Sequence, residues 1–476
     1  MRPILTPAEM AARDSAAIAA GTSEATLVDR AGGAVARRAR RVLGGTYGRR
    51  VVIVCGKGNN GADGRIAGLR LTGWGARVAR FDLTGIDRQA LGRALDRADL
   101  AIDGMFGTGF RGALEGDAAF VADAFNSAAC PVLAIDIPSG VDGLTGAVHG
   151  TAVEAAATAC FVALKPGLVL YPGAALAGDV EVDDIGIDPD TPAPALGLTE
   201  QADVAAWLPP RPPESHKWSV GAVYVVGGSQ GMTGAVMLAA GAALRAGAGM
   251  VVAGLPGDAA VRASGGEVIT RSLPATSSGG LDEDAAKDIL DGLDRFRALV
   301  VGPGLGRSAA TVAAVRRLVA EAPVPLVLDA DGLNALDGDV ELLAGRPAAT
   351  IVTPHAGEYA RLAGEPVEED RVAAARRLAE RAGAVVLLKG SRTVVADPTG
   401  RAAITATGGP WLATAGTGDV LSGIVGALAA MGLPAFRAAT AGSWLHGRAA
   451  DFAGHEGLVA GDLLHALPTV LSQMAA

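Results

Sequence analysis

The chain has 476 residues, enough for two or three domains of ordinary size. With 41 Lys and Arg against 50 Asp and Glu, its net charge of −9 argues against a nucleic-acid binder or a basic membrane-surface protein, since both need a cationic face. Half of the residues are apolar, which excludes a disordered chain; 67 glycines without a G-x-y period exclude collagen and demand a reason in backbone geometry.

Thr6-Pro7-Ala8-Glu9 carries a capping hydroxyl, a proline at the first helical position and a Glu three residues on, so a helical, Ala-rich region is expected from there to about residue 42. Strands are expected at 51–55, 76–81, 100–103 and 132–136, with a helix from about residue 62. Pro-rich text between 188 and 213 reads as a linker, because proline removes backbone donors. A second alternating series follows, with strands at 222–226, 250–254, 299–301, 326–329, 350–353 and 385–389. Alternation of strand and helix predicts parallel sheets covered on both faces. The fold class is α/β, in two consecutive domains over 1–205 and 206–476. The uncharged stretch 220–244 has Gly-Gly-Ser-Gln-Gly at its centre and reads as strand, loop and helix rather than a membrane span. The N-terminus lacks the apolar region of a signal peptide. Cys55, Cys130 and Cys160 lie in apolar runs and are expected to be buried reduced thiols, as in a cytoplasmic protein.

In the second half, Ala415-Gly416-Thr417-Gly418-Asp419-Val420-Leu421-Ser422-Gly423 places glycines and a threonine just before an apolar helical pattern. Such a loop aims backbone N–H groups and a helix dipole at an anion. Asp419 in the first turn suits a general base acting on a hydroxyl beside a phosphate; equally, it could simply cap its helix. Gly-rich loops follow other strands at Gly227-Gly228-Ser229, Gly302-Pro303-Gly304, Asp329-Ala330-Asp331, Thr353-Pro354-His355 and Lys389-Gly390-Ser391. Carboxyl ends of strands are where open α/β sheets bind ligands. No Walker loop and no zinc spacing is present. His446, His455 and His465 are expected at helix surfaces or ends, leaving His355 as the histidine of interest.

In the first half, Cys55-Gly56-Lys57-Gly58-Asn59-Asn60-Gly61-Ala62-Asp63 follows a strand, and its asparagine amides can face a ligand. Asp103 and Asp136 end two further strands. With Ser139 and an asparagine they supply hard oxygen donors, which suit a monovalent ion or Mg²⁺ better than a transition metal.

Taken together, Ala-Gly-Thr-Gly-Asp-Val-Leu-Ser-Gly, Thr-Pro-His-x-Gly-Glu, Gly-Pro-Gly-Leu-Gly and Lys-Gly-x-x-Thr resemble the NAD(P)H-hydrate dehydratases of the ribokinase-like superfamily. The N-terminal loops resemble the NAD(P)H-hydrate epimerases, with a Rossmann-like three-layer sandwich. The joint resemblance implies a bifunctional repair enzyme using ADP, or ATP, with Mg²⁺ and K⁺. Its substrates would be hydrated NADH and NADPH, without nucleic acid or membrane, in a homo-oligomer. It implies Asp419 as the key acid, with Gly418 and Lys389, Gly390, Ser391, Arg392 and Thr393 at the adenine nucleotide, and Ala235, Gly304 and His355 lining the hydrate pocket. In the epimerase half it implies hydrate contacts from Asn59, Asn60, Gly61, Ala62, Asp63, Gly107, Thr108, Gly109, Phe110, Arg111, Gly112, Ala113 and Asp136, with K⁺ near Asn60, Asp103 and Ser139; of these, Asp136 is the expected acid/base. The alternative is a ribokinase-like small-molecule kinase fused to a non-catalytic binding or dimerisation module. Ala62 departs from the epimerase pattern, which has a second glycine there. If that position needed a positive φ, alanine would cost about 1 kcal/mol; in a helix it would be harmless.

Overall fold

The computed structural model describes residues 1–263 and 266–474, which divide into two compact units, Arg2–Leu196 and the chain from Gly197 onward. In the first unit six strands form one parallel sheet in the order Arg77–Asp82, Arg50–Cys55, Leu100–Gly104, Val132–Ile135, Ala157–Phe161 and Asp179–Asp183. The central strands are apolar on both faces because both are covered. Val51 and Ile53 pack with the helices Glu24–Leu43 and Asn59–Gly73, while Val52 and Val54 pack with Arg88–Leu95 and Asp117–Asn126. Ala157–Phe161 and Asp179–Asp183 were not foreseen. The first reads like a helix because of its alanines, and the second is a charged edge strand.

The Ala-rich start is two helices, Pro7–Ala19 with a Thr6/Glu9 capping box and Glu24–Leu43 capped by Ser23. The next helix begins at Asn59, three residues earlier than expected, so Asn59 and Asn60 occupy its first turn rather than a loop. Ala62 therefore sits on ordinary helical backbone. The glycine this motif depends on is Gly61, where a Cβ would stand 2.0 Å from the Gly56 carbonyl oxygen.

In the second unit the strands Ile269–Leu273, Met250–Pro256, Ala222–Val226, Ala298–Val301, Leu326–Leu328, Thr350–Val352 and Val385–Leu388 run parallel in that spatial order. The antiparallel hairpin strands Thr393–Ala396 and Ala402–Thr405 extend the sheet. The helix Thr417–Ala430 is buried along nearly its whole length. It lies against the helix Thr233–Arg245 so closely that a Cβ on Gly423 would reach 2.0 Å from the Ala239 carbonyl oxygen. The helices Ala435–Ala453 and Ala460–Met474 complete that layer. Among the described residues no helix is long and apolar enough to cross a membrane. Cys55 and Cys160 are buried thiols as expected, but Cys130, just before a strand, is only half-buried.

These local geometries predict opposite outcomes at adjacent positions. Gly61→Ala should destabilise the fold by an overpacking cost of about 1–3 kcal/mol and lower its melting temperature. Ala62→Gly should cost only about 0.5–1 kcal/mol, the ordinary penalty of glycine in a helix. Thermal denaturation of the two variants checks the ranking.

Candidate functional site

In the C-terminal unit, the helix Thr417–Ala430 starts from Gly416, whose φ of 90° is a left-handed value that glycine adopts without strain. The turn is held from two sides. Thr417 Oγ1 donates to the Leu412 and Thr414 carbonyls, both at 2.9 Å, and His446 Nε2 lies 2.9 Å from the Thr417 carbonyl. His446 thus departs from the expectation of a surface or terminal histidine. It lies inside the helix Ala435–Ala453, buried, and burial pushes its imidazole down to about 4, so the neutral Nε2–H form donates. His455, beyond the end of that helix, and His465 on Ala460–Met474 are exposed as expected, His455 stacking on Trp411 at 3.8 Å.

Beneath this turn lies a buried polar chain. Lys389, after the strand Val385–Leu388, donates to Asp329 at 2.8 Å and lies 3.7 Å from Glu358. Asp329, after the strand Leu326–Leu328, also accepts from Ser422 Oγ, one turn along the helix from Asp419. Burial alone would raise the Asp329 carboxyl, but Lys389, Ser422 and Thr353 outweigh it and hold the group below its ordinary value. Gly418 lies directly above: a Cβ there would stand 3.5 Å from Lys389 Nζ and 4.0 Å from Asp329 Oδ2. Asp419 itself has no hydrogen-bond partner among the described residues, so it does not cap its helix. Burial, reinforced by the Asp329 charge and opposed by Lys389, raises its carboxyl to about 6. A half-buried carboxylate with that value, beside the N–H groups at the start of the helix, can take a proton from a hydroxyl while free amides hold an anion.

The remaining expected contacts fall into separate neighbourhoods. A Cβ on Gly304 would meet Ala235 Cβ at 3.4 Å, and Ser229 Oγ donates to the Gly304 carbonyl, so Ala235 and Gly304 stand together. His355 caps the helix Ala356–Ala363, with Nδ1 accepting from the Gly357 and Glu358 amides, and it joins the polar chain only through Glu358. Gly390 and Ser391 are exposed, Arg392 donates to the Ala406 carbonyl, and Thr393 opens the next strand.

The N-terminal unit holds a cavity of about 700 Å³ at the carboxyl ends of its strands. Its lining includes Asn59, Asn60, Asp63, Gly107, Thr108, Gly109, Phe110 and Asp136; Gly61, Ala62, Arg111, Gly112 and Ala113 are not part of it. Arg111 instead pairs with Asp142 at 3.4 Å. Asp136, just beyond the strand Val132–Ile135, has a φ of 65°, a strained value for a non-glycine residue and one that recurs at functional sites. Its carboxylate meets Lys165 Nζ at 2.5 Å, and Lys165 also donates to the Phe161 carbonyl at 2.8 Å. Burial works against the ammonium of Lys165, yet Asp136 and Cys160 outweigh it and hold the group above its usual value. Asp14, from the first helix, and Asp63 complete an acidic ring. Burial and then the Asp136 and Asp14 charges raise Asp63 to about 8, and burial raises Asp14. Sequence reading missed Lys165 and Asp14, since neither stands in a Gly-rich loop.

Asn60, Asp103 and Ser139 converge on one backbone turn. Ser139 donates from its backbone N–H (2.8 Å) and its Oγ (2.7 Å) to Asp103, the Phe106 N–H donates to Ser139 Oγ, and Asn60 Nδ2 donates to the Phe106 carbonyl. Asp103 is fully buried without a cationic side chain beside it, and burial raises it to about 6. An oxygen-only set around a buried carboxyl fits a hard cation. It is not a cluster of acids: among the described residues no group of three or more His, Cys, Asp or Glu could hold a metal ion.

Comparison with known proteins gives the family. The family model described as NAD(P)H-hydrate dehydratase matches residues 223–472, and that of the YjeF-related protein N-terminus matches 24–87 and 80–167. The chain is 42% identical to a bifunctional NAD(P)H-hydrate repair enzyme of Moorella thermoacetica, over 91% of this chain and 90% of that one. It is 33% identical to that of Escherichia coli, over 89% and 85%. Among solved structures, the ADP/ATP-dependent NAD(P)H-hydrate dehydratase of Bacillus subtilis, co-crystallised with ATP/Mg²⁺, is 30% identical with a TM-score of 0.50, covering 58% of this chain and 98% of that one. A ribokinase-like superfamily protein of Enterococcus faecalis shares the fold at a TM-score of 0.51. The two halves, each matched to its own model and both spanned by relatives of similar length, show that the chain belongs to the family of bifunctional NAD(P)H-hydrate repair enzymes.

Proposed function

We propose that the N-terminal unit interconverts the R and S epimers of hydrated NADH and NADPH, and that the C-terminal unit dehydrates the S epimer at the expense of ADP, releasing AMP and phosphate. The observation that carries this reading is Asp419: an unpartnered, half-buried carboxyl at a helix N-terminus, directly beside Gly418 and the Lys389–Asp329 pair. Asp419 accepts the proton of the substrate hydroxyl as that oxygen attacks the terminal phosphorus of ADP; the anhydride P–O bond breaks and AMP leaves. Amides of Gly416, Thr417 and Gly418 hold the developing charge, and Lys389 adds a fixed cation. The resulting phosphate ester then eliminates orthophosphate with loss of a neighbouring C–H proton, restoring the ring double bond.

Mg²⁺ would neutralise charge on the nucleotide phosphates. Because the described residues offer no three-ligand cluster of their own, most of its ligands must come from those phosphates and water. In the other unit Asn60, Asp103 and Ser139 would hold K⁺, which supplies a positive charge beside the cavity. Asp136 serves as the acid/base group, with Lys165 fixing its direction and Asp63 offering a proton to the substrate at neutral pH. Two buried thiols support a reducing compartment, the cytoplasm.

Three outcomes follow. Asp419→Asn should abolish ADP-dependent recovery of reduced-nicotinamide absorbance, a loss of at least about a thousandfold, while ADP still binds; retained turnover would remove Asp419 from this role. In the wild type the same assay should lose activity as pH falls through about 6, where Asp419 takes up its proton. Asp136→Asn should block epimer interconversion, read by chiral separation of the hydrates, and leave dehydration of pure S epimer intact. A stable phosphate ester accumulating in place of orthophosphate would instead mark a kinase.

Asp63 also makes stability depend on pH. Its folded value of about 8 lies above that of an unfolded aspartate, so the native state favours the protonated form and loses stability as pH rises from about 4 to 8. Asp63→Asn should therefore raise the melting temperature more at pH 8 than at pH 5.

A further inference from the structure

At the opposite end of the N-terminal sheet from the cavity, where the strands begin, lies a second hollow of about 470 Å³. Its floor includes Val52, Ala79 and Ala94, and its rim carries Arg50, Arg77, Arg93 and Arg97. The placement follows from strand periodicity. Arg50 and Val52 share one face of their strand, and Arg77 and Ala79 share the same face of the neighbouring edge strand, with Arg50 directly opposite Arg77. The helix Arg88–Leu95 covers that face and brings Arg93, with Arg97 just beyond its end.

All four arginines are exposed, and none forms an ion pair among the described residues. Several other arginines of the unit are paired instead: Arg37, Arg38, Arg65, Arg70 and Arg88 each reach a carboxylate at 3.1 Å or less. Two acids stand close by. Asp99 is already engaged by Arg49 and by the Arg50 backbone N–H, and Asp96, between Arg93 and Arg97, pairs with neither. The Asp99 charge also acts on Arg50, but four guanidinium groups around one concavity still outnumber the two acids beside them, and in a chain of net charge −9 they form a local excess that repels cations and attracts a compact polyanion. Guanidinium forks bind phosphate oxygens two at a time, and an apolar floor tolerates the organic part of a phosphate ester. The acidic remainder of the surface disfavours a long nucleic acid or an anionic membrane.

We propose that this hollow binds a pyrophosphate group, free or carried by a nucleoside diphosphate, at a site separate from both catalytic centres. Arg77 and Arg97 are its principal contacts, and Arg50 and Arg93 complete the rim. Nothing in the repair chemistry uses these residues.

The test is calorimetric titration of the full-length protein with inorganic pyrophosphate at low ionic strength, comparing wild type with Arg77→Gln/Arg97→Gln. The catalytic anion sites are unchanged in the variant and contribute equally to both. The wild type should show one additional equivalent of bound pyrophosphate, weakened at least tenfold or lost in the variant. Arg77→Lys/Arg97→Lys should retain it in part. Equal hydrate-repair turnover in all three proteins shows that they are folded. A parallel titration with cytidine diphosphate separates the sources: equal affinity marks recognition of the phosphates alone, and tighter affinity a seat for the nucleoside on the apolar floor. Superimposable pyrophosphate isotherms for wild type and the glutamine variant would overturn the proposal.

Discussion

Each unit is organised around a lysine at the carboxyl end of its parallel strands, neutralised by an aspartate from another strand end: the fully buried Lys165 with Asp136 of the neighbouring strand, and the largely shielded Lys389 with Asp329, two strands away across the sheet. A charge this deep is tolerated only with a partner at hydrogen-bond distance and with its remaining valences satisfied. The constraint reaches outward. Lys389 and Asp329 tie two strand ends to Ser422 on the helix Thr417–Ala430, and thereby place Gly418 and Asp419 over the pair. Lys165 ties the segment after Ala157–Phe161 to the strained backbone of Asp136. Removing one partner would leave an uncompensated charge in the sheet, so the geometry of each site and the integrity of its unit are the same problem.

The two pairs serve different electrostatic ends. Around Asp419 burial and then a neighbouring carboxylate lift one acid to about 6 while Asp329 stays ionised, so two aspartates in one pocket divide into a titrating group and a fixed charge. Around Asp136, Asp63 is driven to about 8 by burial and by its acidic neighbours. An acidic protein can nevertheless hold polyanionic dinucleotides, because helix N-termini and backbone amides supply the local positive potential that net charge does not.

Much of this was legible in the residues. The Gly-rich loops that open at Gly227, Gly302, Asp329, Thr353 and Lys389 follow strands, as their spacing implied, and Asp419, Gly418 and Lys389 do meet. Four other features could not be read. Lys165 follows an Ala-rich run whose strand looks like a helix, and it reaches Asp136 across 29 positions of sequence. Asp14 lies on an amphipathic helix where an acid normally faces solvent. His446 looks like any histidine on a helix, and only packing against the Thr417 turn buries it. The four rim arginines come from two strands and the end of a helix, and become one cluster only through strand register.

What the sequence determined by itself is the alternation of strand and helix, the glycine positions and the motif acids, because these depend on local backbone geometry and on spacing within one turn or loop. The glycine surplus belongs to that class: Gly61 and Gly423 stand where backbone approaches backbone at a distance no side chain permits. Only the tertiary structure decided which charges are buried and with whom. Ion pairing and desolvation depend on residues far apart in sequence meeting within a few ångströms, and proton affinities such as those of Asp63 and Asp419 are consequences of that meeting.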